Sequence, residues 1–234
     1  MNGVVGYQLD EGVATLTLNN GKANAVSHAV LDGLNAGLDR AIADQAVVIL
    51  TGQPGMLSGG YDLTVMKAGP AAVDALVTGG SSLALRMLAH PYPVIVACPG
   101  HAVAKGAFLL LSADYRIGVE GPYKIGLNEV AIGMTMHDAG IALARHRLHR
   151  PAFERSVVCG EMFDPAGALA AGFLDALAAP DQLMATAHAA AERLKKLDMA
   201  AHRNTKLKAR KALLDELAAG IQADSRNRRA AAAA

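Results

Sequence analysis

The sequence predicts an α/β fold, a core of strands and helices followed by a helical region, and three observations predict it. Val13-Ala14-Thr15-Leu16-Thr17-Leu18 alternates apolar and hydroxyl residues with a period of two, as a half-buried strand does. Residues 46–50 and 94–97 are continuous, β-branched-rich runs of the length of a strand buried on both faces. Residues 181–222 are rich in Ala, Leu and Lys and carry no strand pattern.

After the first strand, Asn19-Asn20-Gly21 supplies a turn. Ser27 offers an N-cap for a helix on which Leu31, Leu34, Leu38, Ala41 and Ile42 recur at helical spacing. The buried strand at 46–50 ends in a loop over 51–60, and Asp62 or Thr64 could open another helix. Beyond the break at Gly69-Pro70 lies a helical stretch weakened by Gly79-Gly80 and stopped by His90-Pro91-Tyr92-Pro93. The strand at 94–97 feeds a glycine turn at Gly100, and residues 104–112 are apolar on every side, as a buried helix is. Tyr115–Val119 reads as a further strand. Past Glu129 the pattern turns helical: Asp164 caps, Pro165 opens and Gly172 closes one helix, while Pro151 and Gly160 frame the one before it. Residues 181–222 read as one or two amphipathic helices, and strand–loop–helix units recur at about 45-residue intervals.

A chain of 234 residues buries one substantial core, and a hydrophobic fraction of 52% supports it. A formal net charge of +1 carries no excess pointing to nucleic acid or a charged membrane surface. Cys98 and Cys159 form neither a C-x-x-C pair nor a metal spacing; they are expected to be buried thiols in a reducing compartment, and no metal site is expected. No secretory leader pattern and no stretch approaching about 18 apolar residues is read, so the expected location is cytoplasmic. The terminal alanines 230–234 are set aside as a tail. A serine hydrolase is disfavoured because Ser58 lacks a G-x-S-x-G frame, and a nucleotide fold because Gly21-Lys22 is followed by alanine.

Two loops can carry chemistry, Ser58-Gly59-Gly60-Tyr61-Asp62-Leu63 and Gly100-His101-Ala102-Val103-Ala104-Lys105-Gly106. Each follows a buried strand, contains small residues and runs into a helix start, where unpaired N–H groups are available to a ligand oxygen. Together they could form an oxyanion hole. Pro91-Tyr92-Pro93-Val94-Ile95-Val96-Ala97, Gly100-His101-Ala102, the apolar helix and Ser112-Ala113-Asp114-Tyr115-Arg116-Ile117 resemble the signature of the crotonase superfamily, the enoyl-CoA hydratase/isomerase family. Gly21 to Val26, Ile125 to Val130 with Ile132-Gly133, and Ala168-Ala171-Gly172-Phe173-Leu174-Asp175 match as well, so the resemblance runs from Leu18 to about Asp175.

The resemblance implies a spiral of ββα units over 1–180 holding an acyl-CoA site, a helical region over 181–234, and assembly as a homotrimer or hexamer. Coenzyme A enters as part of the substrate, with no permanently bound cofactor. The backbone N–H groups of Tyr61 and Lys105 would hold the thioester oxygen, although the family usually has glycine where Lys105 stands. Lys22, Ala23, Ala25 and Gly60 would line the coenzyme A, and Met66, Phe108, Met134 and His137 the acyl pocket. Hydratases of the family carry two carboxylates; here Glu129 stands at the second position and Phe108 at the first. Phe108 neither accepts nor donates a proton. A single glutamate suits an isomerase that takes a proton from C2 of a 3-enoyl thioester and returns it at C4, with hydration and a silent acyl-CoA-binding subunit as alternatives. His137 or Asp138 could add a second acid, or serve as a partly buried histidine and a cap. Arg145, His146, Arg147, His149 and Arg150 read as a solvated basic face, and Met66, Met87, Met134 and Met136 as core.

Overall fold

The computed structural model describes residues 3–233; Met1 and Asn2 at the start and Ala234 at the end of the alanine tail lie outside the described residues. Two strands open the chain, β1 (Val5–Asp10) and β2 (Val13–Leu18), paired antiparallel. Helix α1 (His28–Ala43) follows, with the Ser27 hydroxyl accepting from the Val30 N–H. Two strands then precede each group of helices: β3 (Val47–Thr51) and β4 (Gly55–Ser58) lead to α2 (Leu63–Met66) and α3 (Pro70–Ala89). After them, β5 (Val94–Cys98) and β6 (Gly100–Val103) lead to α4 (Lys105–Leu111). The next pair, β7 (Tyr115–Val119) and β8 (Ile125–Gly126), leads through a 3₁₀ turn at Val130–Ile132 to α5 (Asp138–Arg147) and α6 (Arg150–Val157). The remaining elements are β9 (Met162–Phe163), α7 (Pro165–Ala171), β10 (Ala176–Ala178), α8 (Leu183–Lys195), α9 (Met199–Ala209) and α10 (Lys211–Ala233).

Both opening strands belong to a six-stranded sheet, β1-β2-β3-β5-β7-β10; in each of the next three pairs the first strand joins that sheet and the second joins a four-stranded sheet, β4-β6-β8-β9. From β2 onward the large sheet is parallel, as strands joined by helical crossovers require. The chain thus spirals as ββα units. Strands β2, β3 and β5 alternate their side chains between two cores: Leu16, Val48, Leu50 and Val96 face α1, α3 and α4, while Val13, Ile49 and Ile95, with Ile117 of β7, face α8. Burial on both faces is why the 46–50 and 94–97 runs are apolar throughout.

The structure departs from the sequence reading at several points. The loop over 51–60 contains β4, and Gly100 begins β6 rather than a turn. Strands β9 and β10 interrupt the region read as helical past Glu129, and residues from Leu183 onward form three helices, with α10 continuing into the alanine tail. Gly79-Gly80 does not interrupt α3: a Cβ at Gly80 would stand 2.1 Å from the Tyr61 hydroxyl, so the glycine admits that ring. Ile42 is 39% exposed, because α1 turns it away from the sheet. Cys98 is buried but Cys159 is exposed. Arg147 leaves the solvated basic face; it is half-buried, donates to the Ala113 carbonyl at 2.7 Å, and desolvation lowers its pKa to about 10. Met87 and Met136 are core, whereas Met134 is 42% exposed. Among the described residues, α3 is long and apolar enough to cross a membrane by length and composition, which the sequence reading did not anticipate. Half of that stretch is buried, and the helix packs against α1, α4 and α10 as a core helix does.

Candidate active site

Strands β4 and β6 run parallel and side by side, so the loops that leave them emerge together. The approach is close: a Cβ at Gly106, in the first turn of α4, would lie 2.2 Å from the Ser58 carbonyl oxygen. The two loops also touch at their tips. A Cβ at Gly60 would be 3.3 Å from the Ala104 Cβ and 3.9 Å from the Lys105 backbone nitrogen. Gly60 has φ +112°, and Ala104 has φ +50° with ψ −116°, a conformation that L residues rarely adopt and that marks stored strain. No local signal in the sequence announces it, since alanine does not advertise a left-handed φ.

The segments expected to line the coenzyme are tied to the same loops. The Gly59 N–H donates to the Ala23 carbonyl at 2.8 Å, Val26 N–H to Gly60 at 2.8 Å, and Asp62 N–H to Val26 at 3.0 Å. Asn24, which sequence reasoning passed over, is buried with φ +48°; its amide donates to the Leu18 and Leu57 carbonyls at 3.1 and 2.9 Å. That clamps the 22–25 turn between β2 and β4. Lys22 and Ala23 are exposed and Ala25 is half-buried on this turn. Among the described residues, nothing accepts a hydrogen bond from the N–H of Tyr61 or of Lys105.

The third strand of the small sheet brings in the carboxylate. The Ala104 N–H donates to the Gly126 carbonyl of β8 at 3.0 Å, and Glu129 follows three residues later at the head of the 3₁₀ turn. Glu129 is 8% exposed; its Oε2 is buried without a partner among the described residues, and desolvation raises its pKa. Its charge reaches Tyr61, whose hydroxyl pKa is raised first by burial and further by Glu129. A carboxyl with a raised pKa and a free oxygen is fitted to accept and return a proton.

The remaining expected residues divide. Phe108 is buried in α4 and meets His137 edge-to-face, with ring centroids 5.4 Å apart. Desolvation lowers the His137 pKa to about 4, with Lys105 and Arg228 acting the same way against Asp224, so the ring is neutral near pH 7 and is no acid there. His137 is the N-cap residue of α5, but its side chain makes no capping bond. Asp138, exposed in the first turn, does not cap either; Asp224 of α10 accepts from the Asp138 and Ala139 N–H groups at 2.8 and 3.0 Å. Met66 is half-buried at the end of α2, and Met134 lies outside on the loop after Glu129. A cavity of 10 Å³ lies among Tyr61, Ser81, Lys105, Phe108, His137 and Leu217.

Lys105 is the largest surprise. Its side chain is almost fully buried, its Nζ donates to the Gly80 carbonyl at 2.6 Å, and desolvation lowers its pKa to about 7. A lysine letter carries no signal of burial. Gly80, read from the sequence only as a weak point in a helix, is likewise a functional neighbour that sequence reasoning missed.

Two strand-fed loops that meet near the loop of a buried carboxylate, on a spiral of ββα units, give this chain a fold of the crotonase type. A family model described as enoyl-CoA hydratase/isomerase matches residues 8–233, and the chain belongs to that family. It is similar to an enoyl-CoA hydratase/isomerase family protein from Pseudomonas syringae, with 64% identity and a TM-score of 0.95 over 96% of this chain and 98% of that one. It is 30% identical to the human mitochondrial enoyl-CoA delta isomerase 1, over 92% of this chain and 73% of the relative. A probable enoyl-CoA hydratase of Mycobacterium avium is 33% identical over 79% of this chain and 72% of its own. Isomerases and hydratases thus both stand among the relatives, and the common ground is acyl-CoA processing.

Proposed function

We propose that this chain isomerises enoyl-CoA thioesters, moving a double bond from the 3 to the 2 position through a thioester enolate, with Glu129 as the only proton shuttle. The observation that carries the reading is the buried, unpartnered Oε2 of Glu129, whose pKa burial raises. In this reading Glu129 takes the proton from C2, the electron pair passes into the thioester carbonyl and along the chain, and the same carboxyl delivers the proton at C4. The Tyr61 and Lys105 N–H groups, which have no acceptor among the described residues, would hold the oxygen on which charge develops, a preorganised contribution of roughly 3–4 kcal/mol per donor. The 22–25 turn, hydrogen-bonded to Gly59 and Gly60, would bear the coenzyme. Phe108 has no group that transfers a proton, and the lowered pKa of His137 makes its ring a weak base; the similarity to the human isomerase supports the same reading.

The test is Glu129→Gln, assayed with 3-enoyl-CoA and by exchange of the C2 proton with D₂O. Both are expected to fall by about two orders of magnitude or more, while acyl-CoA affinity changes little. Undiminished exchange would move the base elsewhere. A product heavier by one water from 2-enoyl-CoA would favour hydration, and no turnover or exchange in the unaltered protein would favour a binding subunit.

A further inference from the structure

Tyr61 and Lys105 sit on different loops, 44 positions apart, yet their side chains end at the same residue. The Tyr61 ring lies over Gly80, where any Cβ would stand 2.1 Å from its hydroxyl oxygen and 2.8 Å from Cε1 and Cζ. The Lys105 Nζ reaches Gly80 from the other loop and donates to its carbonyl at 2.6 Å. Gly80 lies inside a 20-residue helix, α3, that packs against α1, α4 and α10 and so forms a rigid reference. Both side chains line the 10 Å³ cavity. Among the described residues no carboxylate pairs with Nζ. Burying an unpaired amine costs stability, and a carbonyl contact returns only part of it. Strain at Ala104, immediately before Lys105, has to be held by something beyond the local chain.

We propose that the Lys105 and Tyr61 side chains are positioning groups, which anchor both loops to Gly80 of α3 and thereby hold the two backbone N–H groups at the spacing a thioester oxygen needs. The inference rests on the reading of those N–H groups as oxyanion donors. It assigns work to two side chains that a backbone oxyanion hole does not by itself require, and it gives a role to a lysine buried without a carboxylate partner. Placement matters steeply here, because hydrogen-bonded stabilisation depends on donor distance and a misplacement of about 1 Å can cost about 100-fold in rate.

The experiment uses the full chain with Lys105→Met, which keeps the backbone N–H, and Gly80→Ala, which displaces Tyr61 while keeping the carbonyl. The infrared band of an isotope-labelled thioester carbonyl, bound as a 2-enoyl-CoA, reads polarisation by the donors directly. Turnover of 3-enoyl-CoA is measured alongside, and circular dichroism checks the fold. Both variants are expected to lose part of the carbonyl downshift and to drop kcat about 10-fold or more, with KM changing less. A carbonyl band like that of the unaltered protein in Lys105→Met would overturn the inference, whether kcat falls or not, since the side chain would then not position the donors. If the unaltered protein itself shows no downshift on binding the thioester, the donor assignment fails and this inference with it.

Discussion

Replacing Lys105 with methionine should make the protein more stable at neutral pH, and the gain should shrink as pH rises. Methionine matches the lysine stem in length and places no charge among Tyr61, Phe108 and Leu217, which line the cavity beside it. In the native protein the amine titrates at about 7 against 10.5 in the open chain. The unfolded state therefore binds more protons between those values, and stability rises with pH across that window. The gap amounts to ~5 kcal/mol, present in full below pH 7 and relieved by pH 10.5. From pH 7 to 9 the native protein should gain ~2 kcal/mol from this group alone. The lost bond to the Gly80 carbonyl offsets the gain of the variant by about 1–3 kcal/mol at every pH, so the dependence on pH is the cleaner measure. Urea unfolding of both proteins at pH 6, 7, 8 and 9 gives the difference directly, and titrations shared by the two cancel. A difference that stays flat across the series would refute a neutralised, buried Lys105.

Further outcomes follow from other contacts. Gly106→Ala should abolish folding or the native site, since its Cβ would meet the Ser58 carbonyl at 2.2 Å and both partners are backbone; thermal melting and turnover of the variant check it. Asp224→Ala removes the carboxylate that caps α5 from α10, and should cost about 1–3 kcal/mol and raise hydrogen exchange at the Asp138 and Ala139 amides above that in the rest of α5. Coenzyme A thioesters should raise the melting temperature by mass action, free acids much less, and equal shifts with NAD or ATP would count against an acyl-CoA site. Because burial raises the Glu129 pKa, the acid limb of the turnover profile should lie above the ordinary carboxylate range: the active carboxylate is lost as pH falls through the raised value. A limb at an ordinary glutamate pKa would contradict a buried base.

By itself the sequence determined the elements whose signals are local. Strands β2, β3, β5 and β7 were legible because burial on one or both faces writes an alternating or continuous apolar run into successive residues. Ser27, Asp164 and Gly172 were legible as helix ends because caps act within a few residues. The loops bearing Gly60, Lys105 and Glu129 were found from small residues after strands and from resemblance. Strands β4, β6, β8, β9 and β10 were not legible, since they are two to four residues long and owe their existence to pairing with partners distant in sequence. Tertiary structure alone decided that Gly80 admits the Tyr61 ring rather than weakening α3, and that Asp224 caps a helix 86 residues away. It alone decided as well that the Lys105 amine is buried. Local patterns report which face of an element meets a core, whereas the desolvation and close approach that tune the Glu129 and Lys105 side chains arise only when distant segments pack together.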